Sequence, residues 1–395
     1  MRTLPVSPDR QHYFWIDALR GMAAIIVLIS HVSIFGLYGY EHTLATWPPT
    51  RLLWAGHQAV ILFFVISGFA LYLQFDRMAG IDGRWRKFVL IRVLRLYPPY
   101  LGSLLLGLLV LKAPMLLGIS VPSGAPVIAH GNLTAETLVG HLLMIIDVDT
   151  GAINPPIWTL IFEMRLTLLF PLIHFAIERG GHRSLAVIIA FWIAGVGSFA
   201  AYDLHYLPKP DQTIFISIPY TAIYGGYFAV GALVAKHRTL AMAWVSALRK
   251  SFLQILLAIS IIVFLCGHGY SWPEWVPESL RHIADAFVAV ASAFFVAVAI
   301  ATPAPPKRGL LGFFGAISYS LYLVHQSAVI GTISLFFGRY PAPLLWLISI
   351  SAAVGLAWLF HVAIERPSHA ASRMVRRKIA VGRSMPPASG SQSTG

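Results

Sequence analysis

Ten long apolar runs constrain the fold of this chain more than any other feature of its sequence. They lie at about 21–39, 54–75, 98–117, 158–178, 184–202, 213–235, 251–268, 283–301, 312–337 and 343–364. About 20 apolar residues in a helix cross a hydrocarbon core, where every backbone polar group must bond within the protein. The runs therefore predict an all-α polytopic membrane protein with about ten transmembrane helices. A content of 57% hydrophobic and 11% charged residues excludes a soluble domain of this length.

The basic residues fall between these runs in a pattern that orients the chain. If the N-terminus is cytoplasmic, the cytoplasmic segments hold 23 of the 29 Lys and Arg residues, and the outer loops hold four. Cytoplasmic loops carry an excess of Lys and Arg, so the pattern predicts that both termini are cytoplasmic. Topology thus accounts for the net charge of +13, and we expect membrane lipids and no nucleic acid as partners.

The sequence divides into three predicted parts. Residues 1–14 form a short cytoplasmic segment, residues 15–367 the transmembrane domain, and residues 368–395 a tail that is basic and then rich in Ser, Pro and Gly. Such a tail cannot bury a core, so we expect disorder from about residue 375 onward. Between the third and fourth runs, Leu138 to Ile146 is too short to cross and predicts an interfacial or re-entrant helix.

Two ionisable residues mark the first apolar run. Arg20 opens it, and His31 follows eleven residues later, which at ~1.5 Å per residue places His31 roughly 16 Å deeper in the membrane. An imidazole with an ordinary pKa of about 6.5 can take up and return a proton at cellular pH. His31 could therefore be a general base, or it could only hydrogen-bond a neighbouring helix.

Polar residues at helical spacing occur in two later runs. Thr159, Glu163 and Thr167 recur at every fourth position, so this stripe should face the interior of the bundle. Ser318, Tyr322 and His325 form a second stripe at the predicted depth of His31. Tyr and His at this spacing could also simply satisfy each other in a packed bundle.

A basic cluster follows the second run, in a predicted cytoplasmic loop. It could face anionic lipid headgroups, or it could hold the phosphates of a ligand, because Arg offers a planar fork of donors. Its members are Arg84, Arg86, Lys87, Arg92 and Arg95.

Taken together, these motifs resemble the acyltransferase-3 family of integral membrane acyltransferases. One of them departs from the family pattern at Leu166-Thr167, where an aromatic pair is expected. The similar segments are Asp17-x-x-Arg20-Gly21 with His31, Phe63 to Phe69, Phe88 to Pro98, Trp158 to Pro171, Ser318 to His325 and Glu365-Arg366-Pro367.

The resemblance implies transfer of an acyl group, expected to be acetyl, from cytoplasmic acyl-CoA to a hydroxyl of a carbohydrate or glycolipid, such as a surface or exported glycan. It implies an inner (plasma) membrane location and no tightly bound cofactor. The fifteen His residues are scattered along the sequence, so we expect no metal site. His31 would be the base or the acyl carrier, and Glu163, entering from the outer side, would recognise the acceptor or orient a catalytic partner. The implied CoA-binding residues are Arg20, Arg84, Arg86, Lys87, Arg92 and Arg95, and the implied substrate-binding residues are Trp158, Ser67, Tyr322 and His325.

The alternative is a transporter or flippase of a glycan or a lipid-linked substrate, for which buried His, Glu and Tyr residues are equally natural. The sequence shows neither a repeated half nor paired broken helices, which weighs against that alternative. A purely structural scaffold would leave the buried ionisable residues unexplained.

Overall fold

The computed structural model describes residues 13–36, 48–120, 134–146, 149–180, 183–204, 214–267 and 275–381. These ranges contain thirteen α-helices and no strand, which confirms the all-α prediction. The helices are α1 (Phe14–Gly36), α2 (Gly56–Asp76), α3 (Arg84–Leu116), α4 (Ala135–Leu143), α5 (Trp158–Gly180), α6 (Arg183–Asp203), α7 (Ile214–Lys236), α8 (Arg238–Ala247), α9 (Lys250–Leu265), α10 (Glu278–Ala301), α11 (Gly309–Phe336), α12 (Ala342–Phe360) and α13 (Arg366–Val381).

Nine of the described helical segments are long and apolar enough to cross a membrane. Helices α8 and α9 pass the same test only when they are taken together, and the chain bends by 118° between them. This bent pair covers the predicted seventh run, whose apolar part, α9, has only 16 residues. The described residues therefore contain nine spans, or ten if the bent pair crosses.

The packing of α1 on α11 supports ten spans. A Cβ atom on Gly21 would lie 2.7 Å from the backbone nitrogen of Gly315, so the two backbones meet where neither residue has a side chain. Ten residues further along both helices, His31 contacts His325. The helices are therefore parallel and in register. Because successive spans alternate in direction, parallel first and last-but-one spans require that the bent pair counts as a crossing.

Helix α3 begins earlier than the sequence predicts. The basic cluster was expected in a loop, but Arg84 to Arg95 lie on the first turns of this helix, which continues through Pro98 and Pro99. The expectation was wrong because prolines normally end a helix: they have no N–H to donate to the carbonyl four residues earlier. Here a side chain of another helix supplies a donor in place of the missing N–H groups.

Ser368 of α13 supplies this donor, and two carbonyl oxygens share its single hydroxyl hydrogen. Its Oγ lies 2.7 Å from the carbonyl oxygen of Leu94 and 3.0 Å from that of Arg95, the two carbonyls that Pro98 and Pro99 leave without a helical donor. A membrane protein tolerates a proline inside a span when a neighbouring side chain satisfies the freed carbonyls in this way. The contact packs α13, at the end of the transmembrane domain, against α3.

Helix α13 also corrects the predicted tail. Disorder was expected from about residue 375, but the helix continues to Val381. The expectation was wrong over these residues because Val375 and Ile379, one helical turn apart, pack against the core of the bundle. Residues 382–395, like residues 1–12 at the other end, lie outside the described ranges.

Helix α4 is the short helix predicted between the third and fourth spans. Its nine residues cannot cross a membrane, and they expose Leu138, Val139, Leu142 and Leu143. Tyr97 and Tyr100 of α3 donate hydrogen bonds to the carbonyl groups of Leu142 and His141. The motif that carries the basic cluster thus also anchors α4.

Candidate active site

A cavity of about 420 Å³ lies inside the bundle between α1, α2, α3, α5 and α11. It extends from the first turns of α1 and α11, at Phe14 and Arg308, to Thr159 and Tyr322. Members of all six sequence motifs meet in its wall. The predicted site residues that it brings together are Arg20, Ser67, Arg92, Arg95, Glu163 and Tyr322.

Glu163 forms a buried ion pair with Arg92 in this wall. The Glu163 Oε1 and Arg92 Nη2 atoms are 2.5 Å apart, and the Arg92 side chain is only 5% exposed. The polar stripe of α5 thus faces the bundle, as its spacing predicted. Glu163 thus lies beside Arg92, a member of the basic cluster, and both side chains line the cavity.

Two other cations of the cavity have no carboxylate partner. Neither Arg95 nor Arg308 forms an ion pair or a side-chain hydrogen bond within the described residues, whereas Arg20 lies 3.6 Å from Asp17. A guanidinium group that lines a cavity without a partner is a ready donor to a phosphate or carboxylate ligand. Arg308, which sequence reasoning missed, lies between two apolar runs and carries no motif.

The sequence analysis placed Glu365 in a motif but not in the site, and in the structure its carboxylate lies in the cavity wall with two His residues and a Ser. Glu365 is 2% exposed and accepts hydrogen bonds from Ser320 at 2.5 Å and His361 at 2.8 Å, while His369 lies 3.5 Å from its other oxygen. His361 to Glu365 form a π-helical turn, a feature often found at functional sites. The sequence signal was present: the two His residues flank Glu365 at four-residue spacing, on one helical face.

Tyr322 closes the inner end of the cavity. Its hydroxyl lies 2.8 Å from Thr159 Oγ1 and 3.0 Å from the carbonyl oxygen of Pro156. Its ring contacts Phe63 on one side, with ring centroids 5.5 Å apart, and His325 on the other, at 5.9 Å. Tyr322 and His325 therefore do not bond through their side chains, and the second polar stripe points from the cavity towards His31.

His31 and His325 form a hydrogen-bonded pair just beyond Tyr322. His325 Nε2 lies 3.1 Å from His31 Nδ1, and their rings are 5.0 Å apart. His31 Nδ1 also lies 3.0 Å from the carbonyl oxygen of Val27, and His325 Nδ1 lies 2.7 Å from that of Tyr322. The depth predicted for His31 from its distance to Arg20 thus coincides with that of the second polar stripe.

These contacts assign the protons of both rings. A carbonyl oxygen only accepts, so each Nδ1 carries a hydrogen. The single Nδ1–H of His31 is then shared between the Val27 carbonyl oxygen and His325 Nε2, and Nε2 is the basic nitrogen of the neutral His31 ring. In this arrangement Nε2 of His31 would be the nitrogen that accepts a proton or attacks a carbonyl, and His325 lies where it would stabilise the charge gained.

Besides His31 and His325, four predicted site residues do not line the cavity. Arg84 donates to the carbonyl oxygen of Phe75 at 2.9 Å and covers its ring, Arg86 is exposed, and Lys87 does not line the cavity. Trp158 packs against Phe162 and Tyr224. Successive residues of a helix point in different directions, so a five-residue cluster that would be continuous in a loop is divided between the cavity and the surface.

Comparison with known families agrees with the resemblance of the motifs. A family model described as an acyltransferase domain matches residues 13–362, nearly the whole chain. Neither a curated protein nor a solved structure matches it.

Proposed function

The chain belongs to the acyltransferase-3 family and is a membrane acyltransferase, and from this premise we propose that it transfers an acyl group from cytoplasmic acyl-CoA to a hydroxyl of a carbohydrate or glycolipid. The observation that carries the proposal is the cavity. Cations line its end near the first turns of α1 and α11, and the His31–His325 pair lies just past its opposite end, at Tyr322. Acetyl-CoA is the proposed donor, and a surface or exported glycan is the proposed acceptor.

The charges of the cavity support an acyl-CoA donor. CoA bears its phosphates at one end of a long flexible arm and the thioester at the other. Arg95, Arg308 and Arg20 would bind the phosphates near the first turns of α1 and α11, and the arm would extend past Ser67 towards Tyr322. Because CoA is cytoplasmic and too polar to cross a membrane, this end of the cavity would face the cytoplasm, in agreement with the orientation predicted from the basic residues.

The position of His31 supports its role in the chemistry. In direct transfer, His31 Nε2 would take the proton of the acceptor hydroxyl as the hydroxyl oxygen attacks the thioester carbon. A C–O bond forms, the C–S bond breaks, and the proton passes to the departing thiolate of CoA. His325 would stabilise the imidazolium through the Nδ1–H bond, in the way that a third group orients the base in other acyl transferases and hydrolases.

A second route uses the same nitrogen. His31 Nε2 would attack the thioester and form an acyl-imidazole while CoA leaves as the thiolate. The acceptor hydroxyl would then attack the acyl carbon, the C–N bond would break, and the hydroxyl proton would pass to the CoA thiolate. Glu163 would act in either route by holding Arg92 in place in the cavity wall, since the two side chains are paired.

Purified protein supplied with radiolabelled acetyl-CoA and with glycan extracted from the envelope of its host cells tests the proposal. We expect release of CoA and label bound to the glycan as an alkali-labile ester, with an added acetyl mass in the mass spectrum. The His31→Ala variant is the control, and it should neither release CoA nor label the glycan. Glycan that crosses vesicle membranes without becoming acylated would instead support the transporter alternative.

A further inference from the structure

Gln326 is a buried polar residue that the donor cavity and the His pair leave unused. It follows His325 directly in α11 and is 1% exposed. Neither its Nε2 nor its Oε1 atom has a hydrogen-bond partner among the described residues. Burying an amide without partners costs free energy, so such a group in a packed helix calls for an explanation.

Asn154 presents a second unsatisfied amide beside the same helix. It lies just before α5 and is 1% exposed. Its Nδ2 donates to the carbonyl oxygen of Leu323 at 2.9 Å, whereas its Oδ1 has no partner in the described part of the chain. Helical carbonyls point towards the C-terminus, so this bond places Asn154 at about the level of Gln326, three residues further along α11.

The side-chain amides of Gln326 and Asn154 both lie beyond Tyr322, on the side opposite to the cavity that would hold acyl-CoA. Gln326 is four residues beyond Tyr322, which corresponds to roughly 6 Å along the helix. His325, the neighbour of Gln326 in the chain, bonds His31 at the same level. Gln326 shares a helical face with Tyr322, one turn earlier, so an acceptor that reaches His31 from the side opposite to the donor would pass the level of both amides.

We propose that Gln326 and Asn154 form an acceptor subsite that binds hydroxyl groups of the carbohydrate receiving the acyl group. This inference rests on the proposed function. A side-chain amide carries both donors and acceptors, and a sugar hydroxyl can satisfy either. Amides that are left unpaired without substrate would also reject an acceptor that lacks the matching hydroxyl.

The variant Gln326→Met tests the subsite, because Met has a similar volume and no amide. We expect an unchanged or higher Tm, since the amide has no protein partner to lose. Binding of acetyl-CoA should be unchanged, while transfer of radiolabel to the extracted envelope glycan at limiting glycan concentration should fall about five- to tenfold. Gln326→Leu should behave in the same way, and provides a second variant if Met packs poorly.

Gln58→Met is the matched control. Gln58 is 3% exposed, but its Nε2 donates to the carbonyl oxygen of Gly267 at 3.1 Å. We expect a lower Tm for this variant and normal transfer per folded molecule. A lower Tm in both Gln326 variants, or normal dependence of the rate on glycan concentration, would overturn the subsite. A wild-type protein that transfers no acetyl group to any glycan would overturn the proposed function itself, and the subsite with it.

Discussion

The Nδ1 atom of His31 and the Nε2 atom of His325 lie 3.1 Å apart and join the first transmembrane helix to the ninth. Because α1 and α11 are parallel and in register, this contact is set by the same close packing that brings Gly21 against Gly315. The bond fixes which nitrogen of His31 is basic. It would also give the imidazolium form of His31 a charge-assisted partner in His325, through the Nδ1–H.

We predict that variants of the two histidines differ in severity. His31→Gln should lose about 10² to 10⁴ in transfer rate, because a residue that only hydrogen-bonds cannot replace a base or an acyl carrier. His325→Gln should retain more activity than His325→Leu, since the Gln oxygen can still accept from His31 Nδ1–H. The rate of label transfer from acetyl-CoA to glycan measures all three.

Acetyl-CoA binding and Tm are the controls for this series and should stay close to wild type. Trapping of label on the protein in the absence of acceptor separates the two chemical routes, because only an acyl-imidazole would leave the enzyme labelled. Near-normal transfer by His31→Gln, or equal rates for the two His325 variants, would contradict the assignment.

We predict that the basic cluster divides into two groups. Arg95→Ala removes an unpaired cation from the cavity and should weaken acetyl-CoA binding by about 1.5 to 3 kcal/mol, or roughly 10- to 160-fold in Kd. Arg86→Ala removes an exposed cation of the same helix and should change Kd little. Isothermal titration of the purified variants measures both. Equal effects of the two substitutions would mean that the cluster acts only by its overall charge.

We predict that Glu163→Gln binds acetyl-CoA more tightly than wild type. The substitution removes a negative charge from the cavity and frees Arg92 to bind a phosphate, while the amide still fits the space. Glu163→Ala should instead lower the Tm, because removing one partner of a buried ion pair costs about 3 to 5 kcal/mol. Titration and thermal unfolding measure the two effects, and weaker donor binding by Glu163→Gln would show that Glu163 itself contacts the donor.

We predict that Ser368→Ala destabilises the protein more than Ser372→Ala. Ser368 donates a hydrogen bond to the carbonyl groups that Pro98 and Pro99 leave without a donor. A buried carbonyl without a donor costs about 1 to 3 kcal/mol of folding free energy. Ser372 bonds the carbonyl of Ile91, which Arg95 N–H can still satisfy within the helix. Thermal unfolding in detergent compares the two variants. An equal fall in Tm would refute the explanation that Ser368 allows α3 to continue through Pro98 and Pro99.

We predict the orientation of the bundle from its basic residues. In a Cys266→Ser background, single cysteines at Arg86 and Lys250 should be reached only from the cytoplasm, and those at Thr134 and Trp275 only from outside. All four positions are exposed. Labelling of intact cells with a membrane-impermeant maleimide checks this. Labelling of Lys250 and Trp275 from one side would show that the bent pair α8–α9 does not cross.

The sequence by itself determined the membrane character, the helical class and the family of this protein. The length and apolarity of each run are local properties, and a membrane leaves a helix as almost the only solution for such a run. The family motifs are local too, so the depth of His31 and the inward face of Thr159, Glu163 and Thr167 followed from helical spacing alone.

Only the tertiary structure decided which of these residues meet. The pairing of His31 with His325 joins residues that are 294 positions apart, and the passage of α3 through Pro98 and Pro99 depends on Ser368 of another helix. Arg308, Glu365 and Gln326 could not be placed because a single run does not show which neighbour it packs against. A contact between helices depends on the crossing and register of two separate surfaces, and neither surface alone contains that information.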